Sequence, residues 1–118
     1  MSSEHDSQLL KGVLSLLLLH LLSERESYGY ELVQRLHEVG LHGILEGTVY
    51  PALARLEREG RVSTRLVASN AGPARKYYRP TSVGRDALTA GTADWMSLAA
   101  VVGTQLSRPL PSEPQEGA

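Results

Sequence analysis

Read for the spacing of its apolar residues, the chain divides into four helical stretches and one pair of strand-like runs. Residues 8–24 are apolar on nearly every side. Leu9, Gly12, Val13 and Leu16 form one stripe at helical spacing, and Leu14, Leu17, Leu18 and Leu21 form another. A helix that is apolar all round must be buried on more than one side, so one stripe serves its own domain and the second needs a different partner. Residues 28–39 carry Leu32, Val33 and Leu36 on one face, with Ser27 as the predicted N-cap and Gly40 as the stop. A third helix is predicted over 48–59, where Val49, Ala52, Leu53 and Leu56 recur at i, i+3, i+4 and i+7. Pro51 lacks an N–H and fits only a first turn, which sets the helix start near 46–48; Gly60 ends it.

Residues 61–67 and 75–79 read as the two strands of a hairpin. Val62, Thr64 and Leu66 alternate with Ser63, Arg65 and Val67, the period of a half-buried strand. Residues 68–74, with Asn70, Gly72 and Pro73, are predicted to form a mobile tip. The fourth helix is predicted over 82–107, capped by Thr81. Along it Leu88, Trp95 and Val102 repeat every seven residues, with Ala99 and Leu106 filling intermediate turns. Gly84, Gly91 and Gly103 each weaken this helix by ~1 kcal/mol relative to Ala, so it needs support from packing. With the spare stripe of the first helix, this predicts a homodimer. Its interface would use Leu9, Val13 and Leu16 from the first helix and Leu88, Trp95, Leu98, Val102 and Leu106 from the last. Residues 1–7 and 108–118 lack the pattern and are expected to be disordered.

Charge sharpens the reading. The net charge is −1, but residues 47–80 hold Arg55, Arg58, Arg61, Arg65, Arg75, Lys76 and Arg79 against only Glu57 and Glu59. That segment is +5 and the remainder −6, a segregation that marks a surface for a polyanion. The absence of Cys excludes disulfides and suits a reducing cytoplasm. His5, His20, His37 and His42 form no ligand set for a metal, and no cofactor is implied. Nothing resembles a catalytic triad, paired carboxylates or a phosphate-binding loop, so an enzyme is not expected. The longest apolar run, 16–22, is interrupted by His20 and too short to span a bilayer, and the acidic start (Glu4, Asp6) argues against a secretory signal.

Three helices followed by a hairpin, with the basic block on the third helix and hairpin, is the order of a winged helix-turn-helix. The expected fold is therefore mainly α, with a two-stranded wing and a long C-terminal dimerisation helix. Residues 8–80 would be the unit that binds double-stranded DNA, and 81–107 the helix that dimerises. Opposite its apolar stripe the third helix presents Gly47, Pro51, Ala54, Arg55 and Arg58, flanked by Thr48 and Tyr50. Small residues let a backbone approach a groove floor, and guanidinium groups reach bases or phosphates. Arg75, Lys76 and Tyr77 on the hairpin add cations and a phenol, and one of Tyr77 and Tyr78 should pack inward because strand neighbours face opposite ways.

Several segments resemble the PadR family of winged-helix regulators. They are residues 9–22 (LLKGVLSLLLLHLL), 28–36 (YGYELVQRL), 46–60 (EGTVYPALARLEREG), 75–78 (RKYY), and Thr81 with Gly84 and Arg85. The order and spacing match from about residue 8 to residue 106. The single long last helix is similar to the smaller branch of that family. The resemblance implies a repressor that dimerises through its first and last helices, binds palindromic operators and is released by a small molecule or stress signal. It implies that Thr48 and Tyr50 read the major groove and that Tyr28 is also a DNA-binding residue, while Arg75 and Lys76 reach the adjacent backbone or minor groove. It also suggests that Trp95 lines a slot at the dimer axis for a planar apolar effector, bounded by Leu9, Gly12, Leu16 and Ala99. Pro80 and Arg61 depart from the family's usual apolar residues, stiffening the wing junction and adding charge at the wing base. The competing function is a winged-helix dimer serving as a protein–protein adaptor, which would need a neutral or apolar recognition face.

Overall fold

Seven elements follow one another in the computed structural model, which describes residues 7–112: α1 (Ser7–Glu24), β1 (Ser27–Tyr28), α2 (Gly29–Glu38), α3 (Glu46–Arg58), β2 (Val62–Ser69), β3 (Gly72–Pro80) and α4 (Ser82–Leu106). The expected disordered ends fall largely outside the described residues, although α1 begins at Ser7. Leu14, Leu18, Leu21 and Leu22 of α1 meet Leu32, Val33 and Leu36 of α2 and Val49, Leu53 and Leu56 of α3. Val62 and Tyr78 close this core from the sheet. Each fully buried Leu or Val contributes roughly 1.5–3 kcal/mol of apolar burial. The core uses the second of the two α1 stripes. Of the first, Val13 and Leu16 are half-buried, while Gly12 is exposed and Leu9 is 75% exposed.

α4 is fastened at its start, packs against Leu16 of α1 as far as Gly91, and is largely exposed farther on. The Thr81 hydroxyl accepts from the Gly84 N–H at 3.1 Å, as predicted for the cap, and donates to the Gly60 carbonyl at 2.6 Å. Ala87 and Leu88 pack against the core. Beyond them Trp95, Met96, Leu98, Val101, Val102 and Leu106 stand exposed, and the molecule stretches to 73 × 31 × 21 Å.

The sheet is antiparallel with strand order β1-β3-β2. The wing hairpin was expected; the third strand was not. Ser27 and Tyr28 pair with Tyr78 and Tyr77, and this pairing overturns the assignment of Ser27 as N-cap. Tyr28 occupies the cap position without a side-chain cap bond, while Ser27 is fully buried and its hydroxyl accepts from the Arg35 guanidinium at 2.8 Å. Arg35, itself buried, also donates to the Leu21 carbonyl at 2.8 Å and to Glu24 at 3.1 Å. One guanidinium thus satisfies the buried polar groups where α1 turns into α2.

Three further expectations are corrected. The hairpin strands run to Ser69 and from Gly72, leaving a two-residue turn, Asn70-Ala71, in place of the tip over 68–74. Backbone pairing, with a register irregularity between Val67 and Ser69, outweighs the loop chemistry of Gly72 and Pro73. The half-buried alternation holds only at the wing base: Val62 is buried, but Leu66 is 72% exposed, because the hairpin extends past the helical core. α3 begins at Glu46, so Pro51 lies beyond the first turn. It is tolerated on the exposed side, where solvent can serve the Gly47 carbonyl that it leaves unbonded.

Candidate nucleic-acid interface

The buried stripe of α3 determines what that helix turns outward. With Val49, Leu53 and Leu56 sealed, Gly47, Thr48, Tyr50, Pro51, Ala54, Arg55 and Arg58 are all exposed. Arg55 pairs with Glu59 one turn on, at 3.2 Å. Such exposed pairs are worth little, so the guanidinium is readily exchanged to a phosphate or base. Arg58 makes no ion pair among the described residues.

Strand alternation divides the basic residues of the wing between two faces. Toward α3 lie Tyr78, which is buried, and Lys76, whose Nζ donates to Glu57 Oε1 at 2.9 Å. Thr64 of β2 donates to the other Glu57 oxygen at 3.3 Å. One carboxylate of α3 therefore ties both wing strands to it. The Lys76 hydrogen bond holds that carboxyl below its ordinary range, so it stays ionised at neutral pH. On the opposite face the Arg75 guanidinium lies 4.6 Å from the Tyr28 ring centroid, and Tyr28 meets Tyr77 edge-on at 5.3 Å. Arg65 lies 5.8 Å from the Tyr77 centroid and is bonded to Glu26. The ladder links β1 to the wing. Arg75 and Tyr77 thus share one face, and Lys76 belongs to the other.

Glu57 and Glu26 were missed as partners of the basic block. Their cations stand 19 and 39 positions away, and periodicity relates only residues within one element.

A groove of about 400 Å³ is lined by Tyr28, Gly29, Tyr50 of α3, and Ala74, Arg75, Lys76 and Tyr78 of β3, so residues of both faces of β3 border it. Burial pushes the Tyr50 and Tyr78 hydroxyls above the ordinary phenol value. Both phenols are therefore protonated at neutral pH and can donate hydrogen bonds.

A second cavity, about 320 Å³, lies between α1 and α4. Gly12, Leu16 and Trp95 line it, as do Leu98, Arg61 and Asp94; Leu9 and Ala99 are not in its lining. Among the described residues no His, Cys, Asp or Glu group could hold a metal ion, and no helix is long and apolar enough to cross a membrane.

Residues 18–90 match the model of the transcriptional regulator PadR-like family. The chain belongs to that family. PadR-family regulators bind DNA and typically dimerise. This PadR-family chain is 40% identical over 80 residues to the transcriptional regulator Rv3488 of Mycobacterium tuberculosis, a match covering 67% of this chain and 72% of that one. It superposes on a PadR-like transcriptional regulator of Bacillus cereus with a TM-score of 0.76 at 37% identity, covering 86% of this chain and 99% of the other. A PadR family regulator of Eggerthella lenta gives a TM-score of 0.78 at 35% identity, covering 86% and 88%. The winged helix described above is the fold these PadR structures share with it.

Proposed function

We propose that this PadR-family regulator is a cytoplasmic repressor that works as a homodimer on a palindromic operator and is released by a small planar apolar effector. The observation that carries the reading is the pairing of two open surfaces on one core. The exposed α3 face and the wing groove gather Thr48, Tyr50, Arg55, Arg58, Arg75 and Lys76. The first α1 stripe and the outer face of α4 leave Leu9, Trp95, Leu98, Val102 and Leu106 open to a second copy. In this reading residues 8–80 bind DNA and residues 81–107 dimerise. Two-fold symmetry of the protein is then mirrored in inverted half-sites about one helical turn apart. The effector enters the α1–α4 cleft beside Trp95.

The test is sedimentation of the full chain, alone and with a duplex that it selects from a randomised library. A dimer is expected alone, and one dimer per duplex when DNA is added. Affinity should fall ~10³–10⁵-fold between 50 and 200 mM salt if 6–10 phosphates are contacted. A folded monomer at micromolar concentration, or a flat salt response, overturns the reading.

A further inference from the structure

Gly29 opens α2, a position where its backbone does not call for glycine. Among the described residues only Gly40 and Gly60 have positive φ. A glycine is a poorer helix former than alanine, so its presence here calls for another reason. The space around it supplies one. A Cβ built on Gly29 would lie 2.3 Å from Cε1, 2.7 Å from Cζ and 2.9 Å from the hydroxyl oxygen of Tyr50. The Tyr50 ring is laid flush against the start of α2, in the only volume a side chain at position 29 could take. Tyr50 is nonetheless 43% exposed, stands on the outward flank of α3, and shares the wing groove with Tyr28, Arg75 and Lys76.

We infer that Gly29 is a positioning residue for recognition: its missing side chain is the seat that fixes the Tyr50 ring and so aims its hydroxyl along the DNA-facing groove. The seat works through Tyr50 alone. The three atoms nearest to such a Cβ all belong to the far end of that one side chain, so alanine at 29 moves the ring without undoing the helix. A tyrosine fixed by its own fold loses little rotamer freedom on binding, and this favours the operator geometry over random DNA.

The inference rests on the DNA-binding reading, and a double-mutant cycle separates the two. Wild type, Gly29→Ala, Tyr50→Ala and the double variant are each titrated with the selected duplex and with a scrambled one. Melting is followed in parallel. Gly29→Ala is expected to lower affinity for the selected duplex roughly tenfold, about the value of one good base contact, with little change for the scrambled duplex and an unchanged melting transition. In the Tyr50→Ala background the same change should have no effect, because the ring it displaces is gone. Full affinity in Gly29→Ala, or the same loss with and without the Tyr50 ring, overturns the inference; the second result would mean that position 29 acts through its own backbone. If the wild-type protein selects no duplex at all, the DNA-binding reading itself fails.

Discussion

A carboxylate on the proposed DNA-binding surface opposes the polyanion that the surface would meet, so Glu57 calls for a reason. The geometry gives one: its two oxygens accept from Thr64 and Lys76 and hold the wing at a set angle to α3. Rigidity is gained and one cation is spent. We expect Glu57→Gln, which keeps an acceptor for Thr64 but drops the charge, to raise affinity for random duplex about two- to fivefold. The log–log salt slope should steepen by about one as Lys76 turns to phosphate. An unchanged slope in a fluorescence-anisotropy titration would show that Lys76 already contacts DNA in the native protein. The sign of the pH effect follows from the depressed carboxyl. Glu57 is ionised in both folded and unfolded chains above about pH 4.3, so whatever stability the clamp adds is fully present there. It is lost as pH falls through the lower folded value. Between pH 5.5 and 8 the clamp should therefore leave DNA affinity unaltered. The seat of Tyr50 on Gly29 belongs to the same scale and the same logic: small fixed contacts decide where flexible polar side chains point.

At the scale of elements, α4 is joined to the wing base by a contact with no slack. A Cβ on Gly84 would lie 1.9 Å from the Arg61 carbonyl oxygen, which already accepts from the Thr81 N–H at 3.0 Å. Gly84→Ala must lift the first turn of α4 off that backbone. The expected loss is ~1–3 kcal/mol, read as a lower urea midpoint at constant m-value; an unmoved midpoint would mean that the junction yields freely. How much of this was legible in the sequence depended on the range of the forces. The helices α1, α3 and α4 could be read to within about two residues because periodicity and the Thr81 cap are local signals. Ser27 could not, because its place in β1 is decided by Tyr78, half a chain away, and by the buried Arg35. The hairpin tip was misjudged for the opposite reason: Asn70, Gly72 and Pro73 are loop-formers locally, but the ladder from Val62 to Gly72 outweighs them. In the candidate site, the outward residues of α3 followed from its buried stripe. The division of Arg75 from Lys76 needed the sheet register.

At the scale of the whole molecule, the two proposed functions must communicate, and the shape limits how. The wing, α3 and α1 belong to one packed core, while α4 leaves that core after Leu88 and carries its apolar residues outward. In the proposed dimer the separation of the two recognition helices is then set by how each α4 seats on the partner. The α1–α4 cleft, with Trp95 on its wall and Arg61 and Asp94 at its polar side, lies where that seating is decided. A planar ligand wedged against Trp95 gains stacking and area burial together. It can weaken operator binding only by as much as it prefers the dimer geometry that misfits the operator. Trp95 is the only Trp of the chain, so its emission reports this cleft without interference. Titration with planar aromatic dyes is expected to quench that emission, to saturate at a fixed stoichiometry per dimer, and to release the selected duplex over the same concentration range. Reciprocity demands the converse: adding duplex should weaken dye binding by the same factor. Quenching with no effect on DNA affinity would make the cleft a binding site without regulatory weight. If no planar compound perturbs the emission and Trp95→Ala merely dissociates the dimer, the ring is interface packing alone.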